Sequence, residues 1–386
     1  MMNMLNKILA SFLSMVFLFA VALPNHIAEQ QPGQYEAWPT QEFRTPSLPG
    51  WLGTGLAMEA VYGLIGLMHG GPVTAGLLVV HRGNIVYERY ARGQDKDTPH
   101  EMYSVTKSVV SALVGIAIGE GKIKGVDQKV IDFFPDAVIA AGQECKRDMT
   151  IRHLLTMTSG LPGDGDDNDW NWWDAKDSGK AAFETPQYTK PGERFNYNSG
   201  PAMQTLACLV SRAVKQNLFE YAKKKLFGPL GMASATWDAA ADGNNYGGFG
   251  LSMTARDMAR FGYLYLRGGR WEDSLSPDRL LQIIPADYIA ATSPPSEQHN
   301  EYGYLFWTFN KYSNFEGTYE ANGSFGQYID IFPAWDTVIV RTGDMGWLFE
   351  TAATIGVKYL GFASLLPNGV PLEAILGPLG KLDVLP

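Results

Sequence analysis

The chain is poor in metal-binding side chains and in charge. It holds 2 Cys and 6 His among 386 residues, which leaves a structural zinc site little to draw on and excludes a disulfide scaffold. Charged residues make up 18% against 46% hydrophobic, the reverse of a disordered composition. Basic residues are outnumbered, 31 against 40 acidic, for a net charge of -9. A surface of that sign repels phosphate backbones and argues against nucleic acid as a partner. Several common catalytic signatures are missing as well. There is no Gly-x-Ser-x-Gly elbow, no His-Glu-x-x-His and no phosphate-cradling loop ending in Lys-Ser/Thr. The acidic run from Asp164 to Asp169 lacks the Gly and terminal Glu of a calcium loop.

What is present starts with the apolar run Ile8 to Leu23, preceded by Lys7 and containing Ala20-Val21-Ala22. A basic residue, a short apolar stretch and small residues read as a secretory signal cut after Ala22. Sixteen residues fall short of the roughly 20 needed to span a bilayer, so membrane contact is expected only if the signal stays attached. The mature protein is then exported, to a periplasm or the medium. Cys145 and Cys208 either pair there or stay as two free thiols. Residues 23–72 read as an N-terminal arm, 73–365 as one composite domain with a helical region at about 125–300, and 366–386 as an irregular tail. The 10 Trp, 18 Tyr and 19 Phe suit a concave site for a small molecule, or simply a packed core.

Within the body, Gly76–His81 and Ile85–Tyr90 predict a hairpin turning at Arg82-Gly83-Asn84. Ser104–Glu120 predicts a buried apolar helix stopped by Gly121. Thr150 is placed to cap a short helix over 151–158, and Pro201 to open one running to about Lys215. Thr254 with Asp257 resembles a capping box for a helix over 255–267. Strand character returns only late, at Gln327–Phe332 and Thr337–Arg341. Strands at both ends with helices between predict an α+β fold: an antiparallel sheet built from both termini, with a helical region inserted.

Three segments carry chemistry. Ser104-Val105-Thr106-Lys107 places a serine at the start of an apolar helix with a lysine one turn on, so both share a face. The Ser-x-x-Lys spacing alone is expected about once by chance in such a chain, and a plain helix cap with a solvated Lys is its ordinary use. A buried lysine of lowered pKa, however, can take the serine proton and make the hydroxyl nucleophilic. In Pro191–Ser199, Tyr197 beside an ammonium ion can titrate low enough to relay protons to a leaving group, or it is a core tyrosine on a turn. The Gly-rich run Ala321–Gln327 can offer a backbone N–H to an oxyanion, or it is a simple turn.

The order and context of these segments resemble the serine β-lactamase/penicillin-binding superfamily, in its class C-like branch with carboxylesterases, D-aminopeptidases and 6-aminohexanoate-oligomer hydrolases. The resemblance runs from Val73 to Ala363 and also uses Thr150–Leu161, Pro191-Gly192 before Phe195-x-Tyr197, Gly250–Gly262, and Gly326-Gln327 with Pro333. It implies a β-lactamase/DD-peptidase-like fold, Ser104 as the acylated nucleophile, Lys107 as its partner and Tyr197 as general base and acid. The backbone N–H groups of Ser104 and Ser324 would form the oxyanion hole, and no cofactor or metal is called for. Ser199 stands where lactamases carry the Asn of Tyr-x-Asn, and Ala321-Asn322-Gly323 where they carry Lys-Thr-Gly. The missing Lys removes the cation expected to hold a β-lactam carboxylate. The expected substrate is therefore a small linear amide or ester, with Ser199, Asn322 and Gly323 lining its site. The same residues leave open a D-amino-acid peptidase, penicillin-binding protein or β-lactamase, and a catalytically silent member that binds a ligand in the cleft. Trp170, Trp172 and Trp173, within the acidic loop Asp164–Asp177, are expected to form a cleft wall that favours amine-bearing or neutral substrates. His81, His100 and His153 are structural or surface residues in this scheme.

Overall fold

The computed structural model describes residues 73–344 apart from 167–171, 300 and 310–316, with a few isolated positions between Trp38 and Gly63. The apolar N-terminal run, most of the arm, Trp170 and the C-terminal tail lie outside the described residues. The elements in chain order are β1 (Val73–His81), β2 (Asn84–Tyr90), β3 (Pro99–Glu101), α1 (Val105–Gly119), α2 (Ile151–Leu155) and α3 (Pro201–Val214). They continue with β4 (Thr236–Trp237), β5 (Leu251–Thr254), α4 (Ala255–Leu266), β6 (Arg270–Asp273), β7 (Ser276–Gln282), α5 (Ala286–Thr292) and β8 (Trp307–Thr308). Last come β9 (Tyr319–Gly323), β10 (Gln327–Phe332) and β11 (Thr337–Asp344). A few short helical turns also lie between these elements.

The main sheet is antiparallel with order β2-β1-β11-β10-β9-β8, so β1 and β11 join the two ends of the domain at its centre. The β1–β2 turn carries Arg82 and Gly83 at φ 49 and 79, the double positive φ that matches a two-residue hairpin to strand twist. Strand β10 alternates cleanly. Ile329 and Ile331 enter the main core, while Tyr328 and Phe332 join Leu77, Val79 and Ile339 on the opposite face. The inner face is covered by α4, against β1, β10 and β11, and by α1, against β9 and β10. Every residue of α1 from Val105 to Ala117 is buried, which makes it the central helix and fixes where its first turn points.

Local chemistry sets the boundaries. The Thr150 hydroxyl accepts from His153 N while His153 Nδ1 accepts from Thr150 N, a reciprocal cap that gives His153 a structural role. Helix α2 stops at Leu155, short of the expected 158, because Met157 adopts a left-handed φ of 56. Thr254 caps α4 through Asp257 N, but the Asp257 carboxylate turns to Arg260 and Ser234 instead of completing the box. Between 125 and 300 the chain is less purely helical than expected. It also carries β4, β5, β6 and β7, of which β4 and β5 extend β3 into a small second sheet. These strands are short or, in β7, almost wholly exposed, so no two-residue alternation marks them. Both cysteines are free thiols.

Gly262 on α4 sits directly on the sheet: a Cβ there would lie 2.7 Å from both Ile329 Cγ2 and Val338 Cγ1. Gly262→Ala is expected to force helix and sheet apart at a cost of about 1–3 kcal/mol, despite the better helix propensity of Ala. A denaturant midpoint unchanged or raised in that variant would show that the contact yields freely.

Candidate active site

The site forms where the N-terminus of α1 meets three loops and the end of β9. Ser104 occupies the cap position of α1, yet its hydroxyl makes no capping bond. Lys107, one turn on, instead donates from Nζ to Ser104 Oγ at 2.6 Å and to the Gly248 carbonyl at 3.0 Å. Lys107 is 1% exposed. The solvated lysine of an ordinary helix start is therefore not what this sequence builds. Burial pulls the Lys107 ammonium down to about 8, against the opposing pull of the Asp164 carboxylate. Gly248 must be glycine for this contact, since a Cβ there would fall 2.0 Å from the Ser199 carbonyl.

Tyr197 comes from the loop ahead of α3. Its ring faces Lys107 Nζ at 4.9 Å and stacks on Trp307 at 5.8 Å and 21°. The neighbours on either side act as pins. The Asn196 amide donates to Leu161 O and to Asp166, and the Asn198 amide to Pro162 O while its oxygen caps Ala202 N. A side chain between two pinned amides has one direction left, toward Lys107. The phenol does not titrate low, as the sequence suggested. Burial first, and the Asp164 charge in addition, push it well above its ordinary value, although the Ser104 side chain pulls the other way. The phenol is thus held in its neutral, proton-donating form, while burial brings the Lys107 ammonium closer to losing its proton than an ordinary lysine.

The third side is the turn after β9. Gly323 packs so closely on the segment before Ser104 that a Cβ there would lie 2.3 Å from Met102 O. Tyr103 and Phe325 meet edge to face at 4.9 Å, and both hold left-handed φ values, 46 and 61. Two non-glycine residues in that region, on the two segments that carry the Ser104 and Ser324 N–H groups, are strained at about 1–3 kcal/mol each. Ser324 itself is exposed at the mouth.

The other expected residues fall less uniformly. Asn322 lies on the sheet face of Tyr328 and donates its amide to Glu320 at 2.5 Å. Ser199 turns its hydroxyl to Asp164 Oδ2 at 2.5 Å, and its backbone N–H to Asp164 Oδ1 at 2.6 Å. Trp172 is 4% exposed, packed on Trp173, Tyr246 and Phe249, so its ring props the cleft from inside instead of facing it. Trp173 is half-buried. Within the acidic loop, Asp177 pairs with Arg212 and Lys180, which removes part of the charge expected to bias the substrate. Asp164 accepts from the Ser199 N–H and hydroxyl, and Asp166 from Gly163 N and the Asn196 amide, with the Arg194 charge also acting on Asp166. Sequence reasoning missed Gly248, a backbone contact without a side-chain signal, and the aromatic wall of Tyr302 and Trp307. It treated Asp164 as bulk charge, although its position in the run before Tyr197 was visible.

A beta-lactamase family model matches residues 65–342. This chain belongs to that family. It is a serine hydrolase of the beta-lactamase family, in the class C-like branch, and its sheet and flanking helices are the β-lactamase/penicillin-binding fold. It is similar to the 6-aminohexanoate-dimer hydrolase of Paenarthrobacter ureafaciens, 25% identical over 69% of this chain and 72% of that protein. Among solved structures it resembles EstCE1, a hydrolase with promiscuous acyltransferase activity. The identity is 15% and the TM-score 0.59, over 75% of this chain and 93% of that one. It also resembles a D-stereospecific amidohydrolase from Streptomyces sp., at 16% identity and TM-score 0.54, over 79% and 98% of the two chains.

The electrostatics of Lys107 give a signed expectation for this family member. Asp164 favours the ammonium form, so Asp164→Asn lowers the Lys107 pKa and populates the neutral amine at lower pH. The pH midpoint for phosphonylation of Ser104 by a fluorophosphonate is expected near 8 in the wild type and lower in the variant. A midpoint that stays put or rises would dissociate Lys107 from the reaction.

Proposed function

We propose that the protein cleaves small linear amides or esters through an acyl-enzyme on Ser104. Neutral Lys107 takes the Ser104 Oγ proton as Oγ attacks the carbonyl carbon. The oxyanion is held by the N–H groups of Ser104 and Ser324, next to the N-terminus of α1, where the helix dipole favours negative charge. The carbon–nitrogen or carbon–oxygen bond then breaks as the leaving group takes a proton through Tyr197. Water attacks the acyl-enzyme by the reverse proton path and restores Ser104. The observation that carries this reading is the buried Lys107 Nζ at 2.6 Å from a Ser104 hydroxyl that makes no cap.

Substrate class is argued from what faces the cleft. The strand position where lactamases carry a lysine is Ala321, fully buried in the core, so no cation from that position awaits a substrate carboxylate. Asp164, by contrast, puts a carboxylate beside Ser199. That sign disfavours acids and favours neutral or amine-bearing substrates, in keeping with the likeness to a 6-aminohexanoate-dimer hydrolase. The same proposal includes export from the cytoplasm, a reading supported by the Lys7-led apolar run Ile8 to Leu23.

Ser104→Ala is expected to lower turnover of a nitrophenyl short-chain ester by about 10^4-fold or more, with the circular dichroism spectrum unchanged. Retained turnover would move the nucleophile elsewhere. Intact-protein mass after exposure to esters, amides and cephalosporins reads which acyl groups Ser104 accepts. Acylation by cephalosporins is expected to run at least about 10- to 100-fold behind the ester, for want of the lysine. Equal or faster lactam acylation would overturn the substrate class.

A further inference from the structure

The Gly326-Gln327 segment has a job that the acyl-transfer scheme leaves unassigned. Arg341, on β11, is 0% exposed beneath it. Its guanidinium donates from Nη1 to the Gly326 carbonyl at 2.9 Å and from Nε to Thr74 Oγ1 at 3.0 Å, and it lies 5.7 Å from the Tyr328 ring centroid. A Cβ on Gly326, at φ +86, would fall 1.6 Å from Nη1, so only glycine admits the guanidinium this close. Gln327 grips the same place from the other side. Its amide donates to Gly343 O at 3.0 Å and accepts from Gly343 N at 3.3 Å. A Cβ on Gly343 would lie 1.8 Å from Phe325 O, so β11 passes directly under the left-handed Phe325.

A buried guanidinium is tolerated only with a counter-charge. Asp330 on β10 provides it, on the sheet face it shares with its cross-strand partner Glu320 on β9. The Tyr62 hydroxyl donates to Asp330, and Asn322 Nδ2 to Glu320. Burial and the neighbouring Asp330 hold the Glu320 carboxyl well above its usual range, and burial raises Asp330 as well, against the pull of Arg341.

We infer that Arg341 is a positioning residue for the oxyanion site: by holding the Gly326 carbonyl from behind the sheet, it locks the strained Phe325 turn and so fixes the Ser324 N–H toward Ser104. The inference rests on the proposed acyl-enzyme reading and deepens it. It also explains why the left-handed Phe325 persists, since strain of that kind survives only where the surroundings over-determine it. An oxyanion donor displaced by about 1 Å costs on the order of 100-fold in rate.

The test is acylation of Ser104 by a nitrophenyl acetate, followed by stopped flow and intact mass, with hydrogen exchange of the 321–330 peptide measured alongside. In Arg341→Ala the acylation rate constant is expected to fall about 100-fold with KM changed less than about threefold. Exchange in that peptide should rise, and added methylguanidinium should restore part of the rate. Thr74→Val, which removes only the Nε acceptor, is expected to slow acylation about 3- to 10-fold and serves if Arg341→Ala does not fold. Unchanged acylation in either folded variant, beside a wild type that acylates normally, overturns the Arg341 assignment alone. A wild type that never acylates at Ser104 overturns the hydrolase reading and the oxyanion role together, even if exchange still shows Arg341 holding the turn.

Discussion

The site depends on one costly contact, an ammonium group buried against a serine hydroxyl. Moving a lysine out of water costs several kcal/mol, and Lys107 offsets this with Ser104 Oγ, the Gly248 carbonyl and the Tyr197 ring face. None of these is a counter-ion. Partial compensation keeps the ammonium marginal and leaves its pKa near 8. A carboxylate in direct contact would stabilise the charge and disable the base. Asp164 acts at longer range because its two oxygens are directed at Ser199.

Much of the surrounding fold can be understood as holding that arrangement. The full burial of α1 leaves its first turn no freedom, and α1 packs on β9 and β10, the strands that flank the Ser324 turn. Asn196 and Asn198 aim Tyr197, and close backbone approach at Gly248 and Gly323 brings two loops within reach of Ser104. These are polar and steric constraints of fixed geometry, which suit a site whose donors must be in place before charge develops.

The sequence made Ser104, Lys107 and Tyr197 legible because their meaning lies in side-chain type and helical spacing. The hairpin, α1, α3 and α4 were legible for the same reason, through caps, Pro201 and apolar periodicity. What escaped was carried by backbone or by distance along the chain. Gly248 contributes only a carbonyl, β9 reads locally as a turn because Ala321-Asn322-Gly323 has no apolar alternation, and Arg341 meets Thr74 from 267 positions away. Trp172 shows the opposite error. An indole in a polar, acidic loop suggested a surface, but Gly200 lets it sink: a Cβ there would lie 2.8 Å from the indole nitrogen.

The polarity of the cleft follows from where charge of each sign is placed. Lys107 is buried under the nucleophile and Arg341 is sealed behind the sheet by Asp330 and Glu320, so neither cation is presented to a ligand. The position that would present one is Ala321, turned into the core. On the facing loop Asp164 keeps its negative charge beside Ser199. In the proposed function a substrate meets the Asp164 carboxylate and the rings of Tyr197 and Trp307, the latter two stacked on each other. Binding energy in such a cleft comes from apolar contact and stacking, which discriminate shape only weakly, by about 1–3 kcal/mol per methylene-sized difference. Under the proposed function, this charge arrangement favours linear neutral or amine-bearing acyl chains over carboxylates.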